Sequence, residues 1–255
     1  MKITLFILLL ISNSIWANDP YEDTAENLAD QIETNRSVPE FKARQGTWVY
    51  AFELMLPDGT SQILSESNRN VLVKPASTMK LFTGWFAFKK GFRTNNYIGQ
   101  LLKQSVNSMA DATLKAMGGT KALKVFYANE GLKLNSTNFV QADGSGLSYN
   151  NKTNCSSQIE LLKLMYRDPS YETYKTLMAQ PGEEGTLKGR LAELQGALFA
   201  KTGTLKRTAS LSGIVETKSG TVLFCVLTDY LPAPSRNYRP KIDAMVLGNV
   251  RNLGY

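Results

Sequence analysis

Ser77 and Lys80 stand three residues apart in the stretch Lys74-Pro75-Ala76-Ser77-Thr78-Met79-Lys80. A serine hydroxyl becomes a useful nucleophile only when a base removes its proton. Lysine can be that base when it is neutral, a state favoured by burial, by a helix N-terminus and by a second cation nearby. Pro75 suits the first turn of a helix, where its missing N–H costs nothing. Met79, Leu81, Phe82, Trp85 and Phe86 continue an apolar pattern behind it. On such a helix positions i and i+3 share a face, so Ser77 and Lys80 point the same way. The S-x-x-K pattern is loose, however, and by itself fits a capping serine beside a solvated lysine equally well.

Other residue types narrow the chemistry. The 255-residue chain contains no histidine. That excludes Ser-His-Asp and Cys-His schemes, histidine-ligated zinc and histidine acid/base catalysis. Serine chemistry here must use lysine or a carboxylate as base, and neither a metal nor a cofactor is expected. A second lysine motif, Lys201-Thr202-Gly203-Thr204, occurs once, at the end of a predicted strand. Between the two lysine motifs S-x-N occurs three times, beginning at Ser105, Ser136 and Ser148. Ser105 with Asn107 is preferred because it lies at a junction between helical stretches, whereas Ser136 and Ser148 lie in long loops.

These residues need elements to position them. Thr47 to Leu56 alternates as a strand, Pro57-Asp58-Gly59 turns, and Thr60 to Leu64 returns as the second arm of a hairpin. Helical spacing is predicted over Glu26–Thr34, from Ser77 onward, and over Tyr97–Lys103, Ser108–Met117, Thr120–Asn129, Ser156–Tyr166 and Tyr171–Met178. From Ala197 the period becomes two, giving strands at Ala197–Lys201, Ala209–Glu216 and Thr221–Thr228, and Pro240–Leu253 closes the chain as a helix. Strands, then helices, then strands and a helix imply an α/β (α+β) fold. Its expected core is one antiparallel sheet of about five strands built from both ends of the chain. The expected division is 18–75 with 197–255 as the sheet region and 76–196 as an all-helical region, together one catalytic domain.

The order S-x-x-K, S-x-N, K-T-G resembles the motif set of the penicillin-recognising serine acyltransferases, which include the class A β-lactamases. More specifically, the chain resembles the penicillin-binding protein 4 type of D-alanyl-D-alanine carboxypeptidase/endopeptidase. The blocks that carry the resemblance are PASTMK, LLKQSVNSMADATLKAMGG, DGSGLS, EEGTLKGRL and AKTGTL followed by LSGIVETKSG. The chain departs from that pattern in two ways. Val106 stands where the middle motif usually has aspartate, and only 24 residues separate Lys80 from Ser105, where the family usually inserts large extra domains.

The resemblance implies a β-lactamase/DD-peptidase-like fold and a two-step acyl transfer. Ser77 is implied as nucleophile with Lys80 as its base, and Ser105 and Asn107 as the proton relay to the leaving amine. The backbone N–H groups of Ser77 and Thr204 form the implied oxyanion hole. Lys201 supplies a positive field that helps keep Lys80 neutral and, with Thr202 and Thr204, binds a substrate carboxylate, while Gly203 lets the substrate backbone lie along the strand. The implied partners are peptidoglycan stem peptides and their cross-links, with β-lactams as covalent inhibitors that stay bound. Asp143, Glu184 and Arg190 are read as structural. A catalytically idle wall-binding or β-lactam-sensing domain is the alternative.

Met1-Lys2, the apolar run Ile3–Ile11 and Ala17 read as a secretory signal peptide cleaved near Ala17. The expected location is periplasmic or secreted, with no membrane anchor after cleavage. The formal charge of +7 becomes 7 − 1 = +6 once Lys2 is removed. A basic exported protein suits acidic polymers or carboxylate-bearing substrates, and no basic run or helix-turn-helix cue points to nucleic acid. Cys155 sits at a helix start and Cys225 in a buried strand; export permits a bridge, but their spacing carries no signature, and two free thiols are expected.

Overall fold

A computed structural model describes residues 46–255; the expected signal peptide and the expected helix over Glu26–Thr34 lie outside them. Strand β1 (Thr47–Met55) turns through 56–60 into β2 (Ser61–Ser67). The turn is held by Asp58, whose carboxylate accepts from the Thr60 N–H at 2.9 Å. The chain then crosses to a single 3₁₀ turn, Ala76–Met79, and on into α1 (Lys80–Lys89). Next come α2 (Asn107–Ala116), α3 (Gly119–Asn129), the short strands β3 (Phe139–Val140) and β4 (Lys152–Thr153), α4 (Cys155–Arg167) and α5 (Tyr171–Lys175). β5 (Leu198–Leu205), β6 (Thr208–Thr217), β7 (Gly220–Asp229) and α6 (Arg239–Val250) complete it.

The five long strands form one antiparallel sheet in the order β2-β1-β7-β6-β5. The two ends of the described chain therefore meet at the β1–β7 pair, as the strand–helix–strand pattern predicts. Alternation assigns the two faces. On one face Ile214, Leu223, Cys225 and Leu227 pack with α1 and α4; on the other Leu211, Val222, Phe224 and Val226 pack with Ile242, Val246 and Val250 of α6. β5 is left at the edge. Its N-terminal half is covered by Ala179, whose N–H and C=O pair with those of Ala200 at 3.0 and 2.9 Å.

α1 is the centre of the helical layer. Leu81 through Phe88 are all buried, so it is apolar all round, as a helix enclosed by other elements must be. Trp85 meets Tyr174 edge-on at 4.9 Å, and the Tyr127 hydroxyl donates to the Phe82 carbonyl at 2.6 Å. Burying each of these aromatic side chains contributes about 1.5–3 kcal/mol, and together they fix the helix that carries Lys80.

Two expectations are corrected. The region 76–196 is not wholly helical: β3 and β4 form a ribbon, and Val73 joins it by bridging to Thr153. Strands of two residues are too short for a period-two signal. The cysteines are also not free, because Cys155 and Cys225 form a disulfide with a Cα–Cα distance of 5.4 Å. Packing of α4 across β7 brings together residues 70 apart in sequence, which no local spacing could reveal. Replacing both with serine is expected to lower unfolding free energy by about 2–4 kcal/mol, read as a shift in urea midpoint. An unchanged midpoint, with thiols titratable in the unfolded wild type, would show that the bridge does not form.

Candidate active site

The segment before Ser77 is bolted to the sheet. Asp229 at the end of β7 accepts from the Lys74 N–H at 3.1 Å and forms an ion pair with the Lys74 side chain, whose ammonium also lies over the rings of Tyr149 and Tyr230. The Pro75 carbonyl accepts from Ser210 Oγ at 2.7 Å and Thr78 Oγ1 at 2.8 Å, and Thr78 Oγ1 in turn accepts from Gln158 Nε2. Ala76 is held at φ +49, a left-handed conformation that alanine rarely adopts. Strain of this kind persists only where the surroundings impose it. Ser77 therefore follows an imposed kink and lies in a 3₁₀ turn, not in the α-helix predicted to begin there. No side-chain cap is made at that turn, so Ser77 is not acting as a capping serine.

Two glycines make the close packing possible. A Cβ on Gly203 would lie 2.1 Å from Ser210 Oγ, 2.8 Å from the Pro75 carbonyl and 3.0 Å from the Ser77 nitrogen. The glycine of the K-T-G motif thus lets β5 come up against the nucleophile turn, a reason different from the substrate pairing expected of it. Gly146, at φ +86, faces the kink so closely that a Cβ would lie 1.9 Å from the Ala76 carbonyl oxygen. Gly146→Ala is expected to lose about 1–3 kcal/mol of stability and to slow reactions at Ser77. Gly59→Ala is the control: φ is +82 but nothing lies within 4 Å, so only the backbone strain is shared. Equal losses in the two variants, measured by denaturant unfolding, would show that contact with Ala76 is unimportant.

Lys80, the first residue of α1, is fully buried. Its Nζ donates to Ser77 Oγ at 2.9 Å, Asn107 Oδ1 at 2.6 Å and the Ser145 carbonyl at 2.8 Å. Burial pulls its pKa down to about 8, against the opposing fields of Asp111 and Asp143. Lys201 is also fully buried and donates to Ser105 Oγ at 2.8 Å and to the Thr202 carbonyl. Its pKa falls well below the ordinary lysine value, first by burial and then by repulsion from Lys80. Two buried amines side by side cannot both hold a proton comfortably.

The structure thus gathers the predicted residues into two hydrogen-bonded groups, Lys80 with Ser77 and Asn107, and Lys201 with Ser105, and Lys201 lies within the field of Lys80. Ser136 and Ser148 make no part of that bonding; Ser148 instead donates its N–H to Asp143. Ser105 has φ +60 and precedes Val106, the N-cap of α2, which makes no side-chain cap. The Ser105 hydroxyl therefore faces Lys201 and does not cap the helix. The block EEGTLKGRL explains how that strained residue is held: Thr186 N–H donates to the Lys103 carbonyl at 3.0 Å, Gly185 packs against the same carbonyl, and Glu183 pairs with the Lys103 side chain.

Along β5, Ala200 turns its N–H and C=O to the outer edge, and the two-residue period puts those of Thr202 and Thr204 along the same edge. The Thr204 N–H therefore points away from β6, towards the open edge of β5. Asp143 serves its loop, accepting from the Gly146 and Ser148 N–H groups at 2.6 Å each. Arg190 makes a two-pronged pair with Asp243.

Two contributors escaped the sequence. The Ser145 carbonyl is a backbone group, invisible to side-chain motifs. Asp111 accepts from the Ser145 N–H at 2.8 Å and so aims that carbonyl at Lys80. Its signal was present, one helical turn after Asn107.

The model of the D-Ala-D-Ala carboxypeptidase 3 (S13) family matches residues 93–248, which include Ser105, Asn107 and Lys201–Thr204 but not Ser77 or Lys80. A D-alanyl-D-alanine carboxypeptidase from Actinomadura sp. (strain R39) is 28% identical over 150 residues, 52% of this chain and 28% of that protein. The chain thus spans about a quarter of the length of the curated relatives it matches. Among solved structures, Bd3459, a predatory peptidoglycan endopeptidase from Bdellovibrio bacteriovorus, superposes with TM-score 0.55 at 24% identity over 63% of this chain and 43% of that one. A class A β-lactamase representative from Bacteroides cellulosilyticus superposes with TM-score 0.66 at 14% identity over 92% of this chain and 99% of that one. These two likenesses bear on the fold, while the family match spans more than half of the sequence: the chain belongs to the D-Ala-D-Ala carboxypeptidase 3 (S13) family.

Proposed function

We propose that the protein is a serine DD-peptidase of peptidoglycan that works through an acyl-Ser77 intermediate. One observation carries the reading: Lys80 Nζ lies 2.9 Å from Ser77 Oγ and 2.6 Å from Asn107 Oδ1, while Lys201 Nζ lies 2.8 Å from Ser105 Oγ. Lys80 thus links the first motif to the second through Asn107, and Lys201 links the third to the second through Ser105.

Neutral Lys80 takes the Ser77 proton as Oγ attacks the carbonyl carbon of a D-Ala–D-amino-acid bond. The N–H groups of Ser77 and Thr204 hold the resulting oxyanion, each donor contributing about 3–4 kcal/mol. Because Ser105 Oγ accepts from Lys201, its own O–H is left to donate towards the leaving nitrogen. The amide C–N bond breaks, the amine leaves with that proton, and Ser105 is reprotonated from the Lys80–Lys201 pair. Water then hydrolyses the Ser77 ester. No carboxylate in the cluster is poised to activate that water, since Asp111 and Asp143 are both engaged by backbone N–H groups. A penicillin adduct at Ser77 is therefore long-lived, and β-lactams act as inhibitors.

Cleavage of peptide cross-links is the favoured activity, with removal of terminal D-Ala as its companion. The short span between Lys80 and Ser105 supports an open cleft, and Bd3459 is named as an endopeptidase and has a penicillin G-acylated form. Export to the periplasm or beyond, by the signal peptide, is part of the reading; the disulfide agrees with an oxidising compartment.

Purified protein mixed with cross-linked muropeptide dimers and with pentapeptide monomers tests it, with Ser77→Ala and penicillin as blocks. Loss of dimers, stopped by either block, supports the endopeptidase; loss of terminal D-Ala with dimers intact moves the reading to a carboxypeptidase. If neither substrate changes, the idle sensing domain takes its place.

A further inference from the structure

The turn that carries Ser77 is short, uncapped and strained, and one carbonyl gathers the bonds that shape it. Ala76–Met79 is a four-residue 3₁₀ turn entered through Ala76 at φ +49. The Pro75 carbonyl ahead of it accepts from the Thr78 N–H at 3.4 Å, from Thr78 Oγ1 at 2.8 Å and from Ser210 Oγ on β6 at 2.7 Å. A threonine hydroxyl has one proton to give. Gln158 decides where that proton goes. Its Nε2 donates into Thr78 Oγ1 at 2.9 Å, so the oxygen accepts on that side and its proton is committed to the Pro75 carbonyl. Gln158 lies in the first turn of α4, which is pinned twice. Asn154 Oδ1 accepts from the Ser157 N–H at 2.9 Å, and Cys155, three residues before Gln158 and on the same face, is bridged to Cys225 of β7. Folding alone does not call for a glutamine here. Gln158 is fully buried, and its Oε1 has no hydrogen-bond partner among the described residues. A buried carbonyl without a partner destabilises the folded state, and methionine has a similar length without that group.

We propose that Gln158 is a positioning residue for Ser77. By fixing the Thr78 hydroxyl on the Pro75 carbonyl, it holds the kink at Ala76, and with it the Ser77 Oγ and N–H, in the reacting position. This rests on the acyl-Ser77 reading above and adds to it a residue outside all three motifs. Without Gln158 the Thr78 hydroxyl is free to turn. The Pro75 carbonyl then keeps only Ser210 Oγ and the long Thr78 N–H bond, and the left-handed Ala76 is less firmly imposed. A displacement of about 1 Å at the reacting atoms costs about 10²-fold in rate. The loss belongs to the chemical step, because the residues proposed to bind substrate lie on β5 and not on α4. Stability and activity therefore pull in opposite directions at this position, as they do where a site is held against the preference of the fold.

The test follows acylation by benzylpenicillin over a range of concentrations, which separates the binding constant from the maximal acylation rate. Wild type is compared with Gln158→Met, Thr78→Val and the double variant, with Thr78→Ser as the conservative control. Gln158→Met is expected to lower the maximal rate about tenfold or more, to leave the binding constant within about twofold, and to keep the urea midpoint at or above that of wild type. Thr78→Val keeps the shape and loses the hydroxyl, so it should slow the reaction likewise, while Thr78→Ser should retain most of the rate. In the Thr78→Val background Gln158→Met should add no further loss, because both act through one bond. A lower midpoint with an unchanged maximal rate would make Gln158 a packing residue. Full additivity of the two variants would show that it does not act through Thr78. Either result overturns the proposal while acyl-Ser77 chemistry stands. If wild type is not acylated at all, the acyl-Ser77 reading fails and this proposal fails with it.

Discussion

Lys80→Met is expected to lower the rate of Ser77 acylation by about 10²–10⁴-fold, the range for loss of a positioned general base. Methionine approximates the length and apolar stem of lysine at a site with no exposure. What it removes is the Nζ that contacts Ser77 Oγ, Asn107 Oδ1 and the Ser145 carbonyl. The two remaining acceptors lose their donor, at a cost of about 1–3 kcal/mol each where no water replaces it. The variant should therefore melt earlier as well as react slowly, and acylation must be timed well below its melting point. The β-lactam is a useful reagent because its rate reports the first chemical step, free of deacylation. A Lys80→Met rate within tenfold of wild type would remove Lys80 as the base.

The acylation rate should also climb steeply with pH. Lys80 acts only when neutral, and its pKa sits at about 8. The neutral fraction is then about 1% at pH 6 and about 90% at pH 9, so the rate constant should rise by nearly two orders of magnitude between them. Asp111 on α2 and Asp143 in the glycine-rich loop both favour the charged amine, and burial outweighs them. Asp111→Asn keeps an oxygen able to accept from the Ser145 N–H but removes the negative field. Lys80 should then lose its proton more readily, and the rising limb should move to lower pH. A limb that stays in place would mean that the titrating group is not Lys80, or that Asp111 serves only the Ser145 loop.

Sequence periodicity located most elements because most are long and bury one face or all of it. β1, β6, β7 and α4 were legible within a few residues. The α1 helix was legible too, but not its entry: the left-handed Ala76 is imposed by Gly146 and the sheet, which are distant in sequence. The same reason hid the Cys155–Cys225 bridge and the β3–β4 ribbon. At the site, Ser77, Lys80, Ser105, Asn107 and the Lys201–Thr204 stretch could be named because their chemistry resides in side-chain type and order. The choice of Ser105 over Ser136 and Ser148 rested on a helix junction, and the contact with Lys201 supports it. The Ser145 carbonyl could not be named, because it is a backbone atom.

Mapping the penicillin adduct is the measurement closest to the central claim. The protein would be incubated with benzylpenicillin, digested and sequenced by mass spectrometry, alongside Ser77→Ala. The account predicts one penicilloyl group, on the peptide containing Ser77, persisting long after free drug is removed and absent from the variant. An adduct on another residue, or an equal adduct in Ser77→Ala, would contradict it.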